Sequence, residues 1–163
     1  MRQQIGGVAF GPLTFNDESF AIALARNAFA AWSRDPGRTI AAMLRQRGLI
    51  AEIAKTGDER LGFFVVSTRR LGRPFGPLED PVTAHLDAIA VVPRAMGRGV
   101  GATLLERAEE RARAQGAVVM SLTTAIGNKR AQRLFARRGF LRTIKSPSAY
   151  ANDEDAYELF KPL

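Results

Sequence analysis

Apolar residues recur along this chain with two different periods. After the polar cluster Asn16-Asp17-Glu18, which reads as a helix start, Phe20, Leu24, Ala28 and Ala31 follow at helical spacing. A helix is predicted to about Trp32. Asp35-Pro36-Gly37 interrupts it, and Ile40, Met43 and Leu44 predict a second helix ending before Gly48. Ahead of these, residues 5–14 read as a first strand. Leu49–Lys55 and Leu61–Thr68 flank the turn Thr56-Gly57-Asp58-Glu59, a hairpin signal, and Gly72–Pro81 with its three prolines reads as a loop.

The second half repeats the alternation more sharply. Val82–Val92 reads as a strand. Val100, Leu104, Leu105, Ala108 and Ala112 form one apolar helical stripe, with Glu109 and Arg113 expected to pair at i, i+4 on the polar side and Gly116 as the stop. Ala117–Thr123 is a buried strand by composition. Asn128 opens a short helix with Ala131, Leu134 and Phe135 inward, and Gly139 closes it. Residues 140–144 and 155–160 read as a closing strand pair around a polar loop at 146–154. The order β-α-α-β-β-β-α-β-α-β-β predicts a mixed α/β sheet with a strand–helix–strand unit at its centre. No repeat or linker divides residues 1–163, so a single domain is expected.

Composition narrows the class. At 163 residues the chain can bury a sizeable core, and without cysteine it has neither disulfides nor thiolate chemistry. No apolar run approaches a membrane span and the first residues lack a signal-peptide core, so no membrane association and a cytoplasmic location are expected. The net charge of +8, from 24 Lys+Arg against 16 Asp+Glu, suits polyanions. No basic–aromatic interleaving accompanies it, so the charge as a whole reads as solvated surface and no nucleic-acid partner is expected. Around Arg94 and Arg98 it coincides with a ligand signal.

That signal is Gly97, Gly99 and Gly101, placed between a strand ending before Pro93 and a helix opening at once. Closely spaced glycines let the backbone approach a ligand, and a helix start offers unpaired amides and the positive end of its dipole. The anion is not a P-loop nucleotide, because Ala102-Thr103 stands where Lys-Ser/Thr is required. A dinucleotide fold satisfies the glycine spacing. However, four residues separate the strand from the first glycine, and Val118–Thr124 ends without the expected acid.

The segment Val91-x-Pro93 followed by Met96-Gly97-Arg98-Gly99-Val100-Gly101 resembles motif A of the GNAT acetyltransferase superfamily, written Q/R-x-x-G-x-G/A after V-x-P. Asn128-x-x-Ala131-x-x-Leu134-Phe135-x-x-x-Gly139-Phe140 is similar to the family's second signature, N-x-x-A-x-x-L-Y-x-x-x-G-F, at every position but one. The likeness covers residues 82–140 in motif and the first 80 in topology alone. It implies a mostly antiparallel, splayed sheet with helices on both faces.

The resemblance also implies acetyl-CoA as cosubstrate, with no metal. Main-chain amides of Gly97, Arg98, Gly99, Val100, Gly101 and Ala102 would grip its pyrophosphate. Ile89 and Val91 would pair with pantetheine, the Ile89 amide facing the thioester carbonyl. Asn128 would contact the cofactor or cap its helix. Met96 departs from the family's Gln or Arg, and Arg94 or Arg98 is expected to supply charge. Phe135 replaces the usual acid, a tyrosine, which leaves Tyr150 as a candidate. His85, the one histidine, matches the place of a general base in some members; an imidazole titrates near neutrality and can accept an amine proton. Asp87, two residues on, shares its face unless a bulge intervenes.

The resemblance implies that the two helices and loop of residues 15–48, with the loop before the final strand, cover the acceptor site, where Phe29, Trp32, Arg34 and Asp35 are expected to line it. The implied reaction is direct transfer of acetyl to a primary amine, on a small molecule or a peptide, in a protein that could form homodimers. The stretch from Gly139-Phe140 to Tyr157 is similar to peptide N-terminal acetyltransferases, and a small amine fits equally. The alternative is a non-catalytic acyl-CoA-binding sensor, which Phe135 encourages. A nucleic-acid binder would show steep salt dependence over its whole basic face.

Overall fold

A computed structural model describes residues 4–147, 149–150, 152 and 154–163. Among them, eight strands form one sheet: β1 (Gln4–Ile5), β2 (Val8–Pro12), β3 (Ile50–Thr56), β4 (Glu59–Arg70), β5 (Val82–Val91), β6 (Ala117–Ala125), β7 (Leu141–Ser146) and β8 (Ala156–Pro162). Their order across the sheet is β1-β2-β3-β4-β5-β6-β8-β7. The helices are α1 (Glu18–Ala28), α2 (Pro36–Leu44), α3 (Val100–Ala114) and α4 (Lys129–Arg137). Every neighbouring strand pair is antiparallel except β5 with β6. That one parallel pair encloses α3, as a strand–helix–strand crossover requires.

Burial explains the layering. Leu61 through Val66 on β4 are buried consecutively, so both faces of the sheet are covered there. α1 packs with α2 and against β4 and β5, while α3 lies across β3 to β6. The stripe read from the sequence is the one α3 buries: Val100, Leu104, Leu105, Ala108 and Ala112 all lie in the core. At 15 residues α3 is the longest helix described, and among the described residues no helix is long and apolar enough to cross a membrane.

Three expectations are corrected. The first strand is a hairpin, because Gly6 and Gly7 both take positive φ, 52° and 83°, and reverse the chain between β1 and β2. α1 stops at Ala28 rather than near Trp32. Phe29 leaves helical geometry at φ −113°, ψ 10°, and the Trp32 indole is drawn to Glu154, 122 residues away. Glu109 is not on a solvated face. Its side chain is 0% exposed and accepts from Lys161 Nζ (2.7 Å) and Arg138 Nη2 (3.1 Å) as well as pairing with Arg113 (3.6 Å). Helical spacing alone found the Arg113 pair. β8 and the end of α4 supply the other two cations.

A second buried acid, Glu52 on β3, takes Arg107 and Arg111 from α3, the latter at 2.6 Å. Two carboxylates thus tie α3 to β3 on one side and to β8 and the end of α4 on the other. Removing one partner from such a buried pair costs about 3–5 kcal/mol. These ties fix where α3 begins, and that start is one wall of the site.

Candidate active site

β5 and β6 run as partners from Val82↔Ala117 to His85↔Ser121 and then part. β5 stays paired with β4 as far as Gly62↔Val91, and β6 with β8 as far as Ala125↔Ala156. Between Leu86 and Val91, therefore, β5 has a partner strand on one side only. A cavity of about 340 Å³ lies in the gap, lined by Leu86 to Ile89 on one strand and Leu122 to Ala125 on the other. Ile89, expected to offer its main chain to a ligand, lines that cavity, and Val91 continues the same edge.

The glycine loop stands at the end of this gap. Gly97 and Gly99 hold φ of 75° and 82°, a left-handed conformation that side chains disfavour, and a Cβ at either would meet nothing within 4 Å. The first helical bond of α3 runs from the Thr103 amide to the Gly99 carbonyl (3.0 Å), and no side chain caps the helix. Its leading amides, from Val100 to Ala102, are available to an anion, with Arg98 in the turn before them. Gly101 permits close packing, since a Cβ there would lie 3.6 Å from Val91 Cγ2 and 3.7 Å from Leu134 Cδ2. The loop, the β5 edge and α4 thus meet. Asn128 lines the cavity and caps α4, its Oδ1 accepting from the Ala131 amide at 3.2 Å.

The two expected catalytic side chains are separated. The register between β4 and β5 jumps from Val65↔Ala88 to Val66↔Leu86, which leaves Asp87 unopposed in a bulge. Asp87 lines the cavity, with one carboxylate oxygen, Oδ2, buried and without a hydrogen-bond partner among the described residues. His85 opens instead onto a separate recess with Ser67, Thr68 and Arg69, and its Nδ1 lies 3.0 Å from Ser121 Oγ. The bulge breaks the alternation that would have put both on one face.

Opposite the strands, the wall comes from Phe29, Trp32, Pro36, Ile40 and Met43, and from Phe135 and Tyr150. Of the four acceptor-site residues expected, Phe29 and Trp32 line the cavity. Arg34 and Asp35 line a neighbouring recess, where Asp35 Oδ1 caps α2 by accepting from the Arg38 amide at 3.0 Å. Phe135 is buried and packs edge-on against Phe140, with ring centroids 5.8 Å apart; it contributes surface and no proton. Burial, with the nearby Glu154 charge, pushes the Tyr150 phenol above its ordinary value, so it stays protonated.

Glu154 joins the loops around the cavity. It accepts from the Trp32 indole (2.8 Å), the Gly127 amide and Asn152 Nδ2 (3.2 Å). The Gly127 amide, with Trp32 and Asn152, holds the Glu154 carboxyl below the usual range. Sequence reasoning missed this residue. It expected the helices of residues 15–48 to cover the acceptor site without singling out Ile40 and Met43 as its wall, and it read Pro36 as a break between helices rather than as the first residue of α2. Nothing local marks Glu154.

The parting of the one parallel strand pair beside a glycine-lined helix start leaves an unpaired strand edge and uncapped helix amides on one cavity. The match to known families names the class. Residues 18–140 match the model of the acetyltransferase (GNAT) family, and the chain belongs to that family. The fold is similar to that of Arabidopsis thaliana NAA60 in complex with acetyl-CoA, at 15% identity over 96% of this chain and 98% of that one, with a TM-score of 0.82. Ard1 from Thermoplasma volcanium gives 19% identity over 96% and 98%, with a TM-score of 0.80. The ribosomal-protein-S18-alanine N-acetyltransferase from Escherichia coli gives 19% over 95% and 93%, with a TM-score of 0.74. No curated protein matches the chain by sequence.

Proposed function

We propose that this protein transfers an acetyl group from acetyl-CoA to a primary amine by direct attack within a ternary complex. The observation that carries this is the parting of β5 from β6 beside the glycine loop. It offers an unpaired strand edge for an extended amide-bearing chain and helix-start amides for a pyrophosphate. The open space where a Cβ of Gly97 or Gly99 would stand fits that group. Acetyl-CoA supplies an activated acyl carbon on a good leaving group.

The chain's own residues do the rest. Amides from Gly97 to Ala102 hold the pyrophosphate, and Ile89 and Val91 offer main-chain groups to the pantetheine arm. The Ile89 amide is assigned to the carbonyl oxygen as it gains charge. Asn128 orients the arm from the start of α4. Asp87, on the cavity wall with an unsatisfied carboxylate, takes the proton that the amine nitrogen loses as the new C–N bond forms and the C–S bond breaks. Tyr150, protonated and on the opposite wall, can return a proton to the departing sulfur. Phe29, Trp32, Ile40 and Met43 make the acceptor side apolar, which favours the neutral amine that attacks, and Asp87 is the acceptor for the proton it gives up.

Mass spectrometry of the protein with acetyl-CoA and pooled amines and peptides should show one class gaining an acetyl group with release of free thiol. Asp87→Asn should lower kcat about a hundredfold while CoA still binds. Tight CoA binding with no acetyl transfer to any amine would instead make this a sensor.

A further inference from the structure

We propose that Arg130 on α4 supplies the cation that grips the cosubstrate pyrophosphate, a charge that Met96 in the glycine loop does not carry; this rests on the acetyl-CoA reading above. Position 96 closes the turn before the glycines, and here it is a methionine, which has no proton to donate. Arg130 leans across to that same position, with Nη1 3.0 Å from Met96 Sδ. A thioether is a weak acceptor, so the guanidinium is held at the loop rim with its remaining N–H groups uncommitted. Arg130 is exposed, and among the described residues it pairs with no carboxylate.

The other arginines at the loop differ. Arg94, one of the two expected to supply charge, is occupied: its Nε and Nη2 each lie 2.7 Å from Glu59 Oε1. Arg98 stands between two left-handed glycines, and no side-chain contact among the described residues anchors it to the rim. Arg130 is anchored by its contact with Met96. It and Leu134 are i, i+4 on one face of α4, and Leu134 Cδ2 lies 3.7 Å from where a Cβ on Gly101 would stand. The face of α4 that packs on the start of α3 therefore also aims Arg130 at the loop. Its planar fork matches two phosphate oxygens, which a point charge does not.

Calorimetric titration of the whole protein with CoA and with dephospho-CoA, which keeps the pyrophosphate and lacks the 3′-phosphate, tests this. Arg130→Ala should weaken both ligands about tenfold, the scale of a charged hydrogen bond. It should leave the melting temperature in place, and Met96→Arg in that background should restore affinity. Equal affinity of the variant and the parent for both ligands overturns the proposal. A loss confined to CoA also overturns it, because it would put Arg130 on the 3′-phosphate. If the parent protein binds neither ligand, the acetyl-CoA reading itself fails.

Discussion

Alanine at Gly99 would acquire a side chain on a backbone held at φ 82°, and its Cβ would meet no atom within 4 Å. The penalty is therefore conformational alone, about 1–2 kcal/mol for a left-handed residue. A chain of this size loses about 2–4 °C of melting temperature per kcal/mol. Gly97, at φ 75° with the same open surroundings, should behave alike. Gly101 should not. It lies in the first turn of α3, where alanine is the better helix former by up to about 1 kcal/mol. Its Cβ would make ordinary contacts with Val91 and Leu134 at 3.6 and 3.7 Å. Gly101→Ala should raise the melting temperature and keep CoA affinity, because the added methyl faces protein. At 97 and 99 the methyl enters the space assigned to the pyrophosphate, and CoA affinity should fall at least about tenfold. Thermal melts with calorimetric CoA titrations of the three variants read both effects. CoA affinity unchanged in Gly99→Ala would remove the loop from the binding site, and a destabilised Gly101→Ala would contradict the packing of α3 on β5 and α4.

Two further outcomes concern the scaffold. Burial alone would raise the Asp17 carboxyl, but Lys55 (2.7 Å), the Thr14 amide (3.0 Å) and Arg60 (2.8 Å) outweigh it and hold the group well below the usual carboxylate range. The folded value lies below the unfolded one, so this stabilisation is intact above about pH 4 and is lost as pH falls toward the folded value. Asp17→Asn should cost about 2 kcal/mol at neutral pH and flatten the acid limb of urea-denaturation stability; parallel acid limbs would refute the linkage. Glu109→Gln leaves Lys161, Arg138 and Arg113 facing a neutral amide in a buried position. It should cost about 3 kcal/mol, and a melting temperature equal to the parent's would show that those contacts carry no stability.

What the sequence disclosed was what short-range periodicity encodes. The α3 stripe, the cap at Asn128 and the glycine turn were readable because each depends on neighbours within about one helical turn or one loop. The departures are of another kind. Glu109 was assigned to solvent because Arg138 and Lys161, which enclose it, lie 29 and 52 residues away. The Trp32 indole left its helix for a carboxylate 122 residues on. Alternation puts His85 and Asp87 on one face unless a bulge intervenes, and whether it does is set by how β4 lies against β5. Arg130 was passed over inside a motif whose asparagine and alanine carried the family likeness, and its significance comes from Met96, 34 residues earlier. The glycine turn and the strand before it were legible as local backbone; most of the candidate site's side-chain partnerships required the fold.

The unzipped stretch of β5 from Leu86 to Val91 is a sheet margin turned inward. Such margins attract any extended segment, including one from a neighbouring molecule, unless something fills them. Whatever fills this one adds RT ln(1 + [L]/Kd) to the native state, about 2.7 kcal/mol at a hundredfold excess over Kd. Occupancy of that margin and resistance to unfolding are then one and the same equilibrium, read twice.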